Sequence, residues 1–186
     1  PVVTAQDGTT TQSYTITVSS LSANANLSSR NISSGTLSPV FATATNAYTE
    51  SVSNATTSVT ITPASSENHA TITVNGVTVA SKTAGPAIPL NTGDNIINTV
   101  VTAQDGLATN TYTITVTRAP SANANLAGLV LSSGTLSPAF ATGATAYTAS
   151  VNTASVTVTP ATADAAASIK VNNKTVTSGN PSAAIP

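Results

Sequence analysis

The chain of 186 residues has no cysteine, no methionine and no tryptophan, and charged residues make up only 6% of it. Without cysteine there is no disulfide framework and no thiolate chemistry. Disulfide-free chains occur in reducing and oxidising compartments alike, so this absence assigns no compartment by itself. Five basic residues against six acidic ones leave a formal net charge of −1. No cationic surface is available to neutralise phosphates, which excludes nucleic acid as a partner. A polybasic membrane patch fails for the same reason. No apolar run approaches the roughly 20 residues that cross a bilayer, so no membrane insertion is expected. No basic segment followed by an apolar one opens the chain, and no signal peptide is visible. An average soluble domain is about 25% charged. Here solubility rests on Thr, Ser and Asn, which suits an exposed, protease-rich exterior. The positive mean hydropathy argues against disorder.

What is present is repetition. SANANLSSRNISSGTLSPVFATATNAYTESV begins at Ser22, and SANANLAGLVLSSGTLSPAFATGATAYTASV begins at Ser121, 99 residues on. VTAQDGTTTQSYTITV, from Val3, returns as VTAQDGLATNTYTITV, from Val101, 98 residues on. A period of that size is a small domain and not a solenoid repeat. The expected organisation has three parts: residues 1–18, the last strand of a preceding or neighbouring repeat; residues 19–118, a complete repeat; and residues 119–186, a second repeat lacking its last strands.

The local pattern predicts strands. Tyr112, Ile114 and Val116 alternate with Thr113, Thr115 and Thr117, and Tyr14, Ile16 and Val18 repeat this. Period-two alternation of β-branched residues marks a half-buried strand. Asn75-Gly76 between Ile72–Val74 and Val77–Val79 predicts a type I′ hairpin, with Asn172-Asn173 in the second copy. Asp7-Gly8, Asp105-Gly106 and Gly93-Asp94 read as turns. Pro39, Pro63, Pro138 and Pro160 are expected at strand ends or in loops. One short helical turn at most is expected between Gly35 and Phe41. About seven strands between Leu27 and Arg118 then predict a β-sandwich of the immunoglobulin kind. Phe41, Tyr48 and Tyr112 recur as Phe140, Tyr147 and Tyr14, which points to packing and not to a carbohydrate platform.

The run Gly35-Thr-Leu-Ser-Pro-Val-Phe41, with Ala47-Tyr48-Thr49, Val74-Asn75-Gly76, Leu90-Asn-Thr-Gly-Asp-Asn95 and Asp105-Gly106 through Tyr112-Thr-Ile-Thr-Val-Thr-Arg118, resembles the cadherin-like β-sandwich repeat of bacterial surface proteins. The resemblance covers one unit and most of a second. It implies an all-β chain of tandem immunoglobulin-like sandwiches, used as spacers or adhesive modules at the bacterial cell surface or outside it. It implies no catalytic residues and no cofactor.

Both ends fall inside a repeat. Ala184-Ile-Pro186 aligns with Ala87-Ile-Pro89, so the second unit has no counterpart of Leu90 to Arg118. Either the chain is a window onto a longer covalent array, or one copy's N-terminal strand completes its neighbour's open sandwich. Both readings make copies of the chain itself the main partner, in a head-to-tail assembly.

No constellation for catalysis is apparent. His69 sits in a polar loop, and its counterpart is Ala166. The acids Asp7, Glu50, Glu67, Asp94, Asp105 and Asp164 form no pair placed for acid–base work. Calcium needs six to eight oxygens with several carboxylates among them. The junctions Ser20–Asn26 and Ala119–Asn125 offer only neutral side chains, so no metal site is expected. Lys170 and Lys174 lie near Asn172, as a Lys–Asn isopeptide bond would need, but have no assignable catalytic acid. Asn26, Asn31, Asn54 and Asn173 begin Asn-x-Ser/Thr triplets, which arise by chance in such a composition. A structural module of an extracellular fibre or stalk is therefore the first expectation. An adhesin or carbohydrate-binding module, gripping surface glycans or host proteins by its loops, is the second; an enzyme is not expected. The short linker with Pro120 predicts a limited hinge and units set end to end.

Overall fold

In the computed structural model, which describes all 186 residues, no helix forms and most of the β-branched alternation has become strand, but Tyr14–Val18, expected as a strand, has not, because that stretch has no paired neighbour. The chain divides into two units, Pro1–Ala119 and Pro120–Pro186. In the first unit the strands are β1 (Val2–Thr4), β2 (Thr11–Ser13), β3 (Leu27–Ile32), β4 (Ala47–Val52), β5 (Ser58–Val59), β6 (Ile61–Ser65), β7 (Thr71–Val74), β8 (Val77–Thr78), β9 (Ile88–Pro89), β10 (Gly93–Thr102) and β11 (Thr109–Arg118). Nine of these lie from Leu27 onward, against about seven expected; three of them, β5, β8 and β9, are two residues long.

One layer is the sheet β4-β11-β10-β7-β8, and the pairs β3–β6 and β5–β9 oppose it. Parallel pairing of β4 with β11 sets Tyr48 beside Ile114 and Glu50 beside Val116. On β11 the predicted apolar face is the one buried: Tyr112, Ile114 and Val116 are each 0% exposed. They pack with Leu27, Ile61, Ile72, Ile97 and Val101 in a single cluster drawn from both layers. Each such side chain contributes about 1.5–3 kcal/mol of burial energy.

Several local features match the turn chemistry. Asn75 and Gly76 have φ of 47° and 81°, the double positive value of a type I′ turn, and Asn172 and Asn173 have 47° and 63°. The expected helical turn between Gly35 and Phe41 is absent. That stretch is irregular, includes a cis Ser38–Pro39 peptide, and touches β4 through a Ser38–Thr49 bridge. Pro63 and Pro160 lie inside β6 and β13 (Val158–Thr162), not at a strand end or in a loop. The reason is that each strand pairs along one edge only. The Pro63 carbonyl accepts from Lys82 N on the other edge, so its missing N–H interrupts no ladder.

Residues 1–18 contain two short strands instead of one. β1 and β2 pair antiparallel, Val2 with Ser13 and Thr4 with Thr11. All their residues are exposed. In the second unit, β12 (Leu126–Leu131) pairs with β13, and β14 (Ile169–Val171) with β15 (Lys174–Val176). The shift between Leu126 and Gly128 repeats the one between Leu27 and Ser29, and a cis Ser137–Pro138 repeats the first unit's. No residue of the second unit belongs to the buried hydrophobic cluster.

Candidate functional site

Two tyrosines organise the polar side of the sandwich. The Tyr112 hydroxyl accepts from Leu27 N at 3.1 Å and from Asn110 Nδ2 at 3.0 Å, and donates to Thr43 O at 3.1 Å. It thereby ties the start of β3, the loop before β4 and β11 together. The Tyr48 hydroxyl donates to Thr45 O at 2.7 Å with Ala42 O at 2.9 Å, and Tyr147 repeats this on Ala144 and Ala141. Phe41 stacks on Tyr48 with centroids 6.0 Å apart. The recurring aromatics of the first unit thus pack as expected, while Tyr14 is 55% exposed.

The notable buried polar groups are two that no sequence motif marks. Arg30 is 2% exposed. Its Nη2 reaches Ile97 O at 3.4 Å, its guanidinium lies 5.9 Å from the Tyr48 ring centre, and Nε and Nη1 have no hydrogen-bond partner. Burial pulls its pKa down to about 10, against the favourable field of Tyr48 and Tyr112, so it stays charged at neutral pH. Glu50 is 6% exposed, and its Oε2 is also unpartnered. Burial raises its carboxyl above the usual range, while N–H groups of Ser51 and Thr36 oppose the rise. Strict alternation along β3 would turn Arg30 outward. The extra residue at Ser28, whose hydroxyl donates to the carbonyls of Ala64 and Ser65, re-aims it inward. The inward period Tyr48, Glu50, Val52 was already legible in the sequence, and so was the loss of both charges at Leu129 and Ala149 in the second copy.

A cleft of about 400 Å³ opens beside this pair, lined by Arg30, Ile32, Gly35, Thr36, Leu37 and Phe41 among others. Elsewhere the polar groups serve the backbone. Asp7 Oδ1 accepts from Thr9 N and Thr10 N, each at 2.9 Å. Its carboxyl is held down at about 2, chiefly by the Thr10 hydroxyl and the amides of Thr10 and Thr9. Asp105 accepts from Leu107 N and Ala108 N and is likewise lowered. Asp164 is lowered by the Ser121 hydroxyl and the Ala166 amide. Asp94 differs from the turn expectation: it lies within β10, and its carboxylate accepts from the Thr117 hydroxyl at 2.6 Å.

His69, with a side chain 68% exposed, meets Glu67 at 2.9 Å, which lowers the Glu67 carboxyl. The acids and His69 do not converge; no three metal-ligating side chains of the His, Cys, Asp and Glu type come together. At the junctions, Asn24 Oδ1 accepts from Asn26 N and Asn123 Oδ1 from Asn125 N, both at 3.0 Å. Lys170 and Lys174 are exposed on β14 and β15. Asn26, Asn31 and Asn173 are exposed and Asn54 is half-buried.

The sandwich and its tyrosine ties define a class. A family model for the cadherin-like beta sandwich domain matches residues 23–119, just over half of the chain, and the chain belongs to that family. It is also 40% identical over 95 residues to a protein described as "Putative membrane protein" from Evansella cellulosilytica. That match spans 51% of this chain and 14% of the relative's length. Membership suggests a surface or extracellular module of structural or adhesive use. No helix is long and apolar enough to cross a membrane.

Proposed function

We propose that the chain is a structural segment of an extracellular bacterial fibre or surface stalk, in which immunoglobulin-like sandwiches follow one another in series. The observation that carries this reading is the repetition of packing devices and not of reactive groups. The bulged first strand, the Ser–Pro turn, the tyrosine tie and the positive-φ hairpin all recur in the second unit. Arg30, Glu50 and His69 recur as Leu129, Ala149 and Ala166. Repetition of scaffold without repetition of chemistry suits a spacer whose length is the product.

Serial joining is covalent, through linkers such as Arg118–Asn123, or by strand exchange between copies; the partner in both cases is another copy. Pro120 restricts the linker and favours extension. The test is small-angle scattering on chains carrying one to four units in series. The largest dimension should grow by a constant increment per unit, and a compact particle of side-by-side units overturns the reading. Concentration-dependent polymers of the single 186-residue chain would select strand exchange over covalent linkage. The relative's description fits attachment of such a stalk to a membrane by other parts of a longer protein.

One feature favours the second reading, an adhesin. The cleft over Gly35, Leu37 and Phe41 is the kind of apolar recess a ligand could enter. Saturable binding of a single unit on a glycan or host-protein array, lost on filling the recess with Leu37→Trp, would move the assignment there.

A further inference from the structure

In the first unit Tyr112 sits among fixed partners. Its hydroxyl accepts from Leu27 N and donates to Thr43 O, and its ring lies 6.3 Å from that of Phe41. Beside it, Asn26 Oδ1 accepts from Asn110 Nδ2 at 3.3 Å. The second unit repeats the receiving residues as Asn125, Leu126, Phe140 and Thr142. There they line an open recess of about 270 Å³, with Tyr147 on its wall. A second recess, of about 550 Å³, is lined by Ser121, Ser168 and Ile169 among others. Ser121 is the counterpart of Ser22, whose N–H donates to Gln104 Oε1 at 3.0 Å and whose carbonyl accepts from Asp105 N at 3.1 Å. Ile169 is the counterpart of Ile72, the register partner of Val101. Both recesses therefore mark places that β10 and β11 occupy in the first unit.

Residues 1–18 carry the same docking groups. Val3, Gln6-Asp7 and Tyr14-Thr-Ile-Thr-Val18 repeat Val101, Gln104-Asp105 and Tyr112-Thr-Ile-Thr-Val116. The β1–β2 pairing already has the β10–β11 register, with Val3 opposite Gln12 as Val101 is opposite Asn110. Its turn closes in the same way, the Asp7 carboxylate holding two following amides as the Asp105 carboxylate does. A hairpin formed in advance loses less conformational freedom when it docks. The side chains it would bury are open to solvent: Ile16 and Val18 are 77% and 88% exposed, whereas Ile114 and Val116 are 0%. Apolar side chains beside unpaired strand edges are a template for another chain.

We propose, building on the serial reading, that residues 1–18 of one copy dock as a hairpin in the second unit of another copy. β1 lies along β14 with Val3 opposite Ile169, as Val101 lies opposite Ile72. Thr15 to Val18 run parallel to residues 146–149, as Thr113 to Val116 run beside Ala47 to Glu50. Tyr14 enters the smaller recess, where its hydroxyl accepts from Leu126 N and donates to Thr142 O. Gln6 and Asp7 clasp Ser121. The strand order of the first unit's sheet is thereby rebuilt from two chains. Strand addition of this kind draws affinity from main-chain hydrogen bonds and specificity from side-chain pockets. The donating and accepting surfaces differ, so copies add head to tail in an open series. Nothing in residues 1–18 corresponds to Leu90–Asn98, so a recess of about 370 Å³ beside β15, lined by Val176, Ser182 and Ile185 among others, stays open. The joint is accordingly reversible and governed by concentration.

The chain has no native cysteine, so single substitutions report the joint. Full chains carrying Thr17→Cys are mixed with isotope-labelled full chains carrying Thr148→Cys and treated with a short thiol-reactive linker. Each chain holds one cysteine, so a mixed dimer is a contact between copies. Its yield should rise with protein concentration. It should be roughly tenfold lower with Thr49→Cys in place of Thr148→Cys, because residues 47–52 are already paired with β11. Adding Tyr14→Ala to the Thr17→Cys chain should lower the yield roughly tenfold, as removal of a central aromatic anchor does. Tyr14 is 55% exposed in the single copy, so this substitution leaves the fold of each chain intact. Mixed dimers equally abundant with Thr49→Cys, or indifferent to Tyr14→Ala, overturn the proposal. So does a cross-link confined to monomers when both cysteines are placed on one chain, since the hairpin would then close on its own chain. If no mixed dimer forms while the scattering increment per unit stays constant, the joint between copies falls and the covalent stalk stands.

Discussion

Residues 47–52 and 146–151 share five of six side chains, yet the first stretch is a six-residue strand and the second is not a strand at all. Tyr48 is 2% exposed, while Tyr147 is only half-buried, although both keep the same hydroxyl contacts. The difference lies in the neighbour. β4 is hydrogen-bonded along its length to β11, whereas the only strand-type pairing of 146–151 is the Ser137–Thr148 bridge. Local propensity is thus insufficient for this strand; its pairing is a tertiary event. The hairpin at residues 1–18 teaches the converse. It keeps the β10–β11 register around Asp7-Gly8, since Val2–Ser13 corresponds to Val100–Thr111, but its strands are three residues long against ten. A turn survives alone where a ladder needs a second layer.

The largest expected contrast is between matched tyrosines. Tyr112→Ala removes a fully buried ring and three hydrogen bonds, and should cost the first unit about 3–5 kcal/mol. Tyr14→Ala, at the same place in the exposed hairpin, should stay within about 0.5 kcal/mol. Urea midpoints of the two variants decide this, and equal shifts would mean that the hairpin is packed after all.

Supplying a β11-type neighbour tests whether pairing alone separates the two segments. A synthetic peptide with the sequence Leu90–Arg118, added to the chain, should slow amide exchange at Tyr147–Val151 by roughly tenfold, because those amides gain a ladder. Unchanged exchange there would show that residues 146–151 do not take up a β11-type partner.

A smaller effect separates the two type I′ turns. Gly76 carries its φ of 81° without strain, whereas Asn173 holds 63° with a side chain. Asn173→Gly should therefore stabilise the β14–β15 hairpin by up to about 1 kcal/mol, and Gly76→Ala should destabilise β7–β8 by about 1–3 kcal/mol. Proteolysis rates at the two turns report both signs.

Much of this fold was legible in the sequence because its signals are local. The alternation of Tyr112, Ile114 and Val116 gives the buried face of β11, and Asn75-Gly76 gives the turn between β7 and β8. Arg30 escaped because a one-residue bulge at Ser28 reverses the face that alternation assigns to it, and a bulge leaves little trace in composition. Glu50 stood on an inward position in plain view, but a lone acid in a polar-looking strand suggests solvent unless its copy, Ala149, is weighed beside it. Pro63 and Pro160 escaped because the rule against proline in strands applies to strands paired on both edges. Asp94 reads as a turn residue because glycine precedes it, yet Gly93 already pairs with Arg118 as the first rung of the long ladder.

The smallest effect concerns the two Asp-Gly turns. Asp7 titrates at about 2 in the folded hairpin, against 3.8 ordinarily. A depressed carboxyl favours the folded turn in its ionised form, so its contribution is complete above 3.8 and disappears as pH falls through about 2. Asp105 is lowered for the same reason, by the amides of Ala108 and Leu107. The consequences differ with the surroundings. At residues 1–18 the turn has no second layer behind it, so acid should release the Thr9 and Thr10 amides and, with them, the β1–β2 pairing. At residues 103–108 the ten-residue ladder and the buried face of β11 hold the hairpin when the carboxyl is neutralised. Amide chemical shifts followed from pH 5 to 1.5 should therefore show β1–β2 dissolving while β10–β11 persists, and Asp7→Asn should abolish the hairpin's response. A midpoint near 3.8 for the Thr9 and Thr10 amides would mean that the isolated turn is not folded, and the likeness between the two hairpins would end at the sequence.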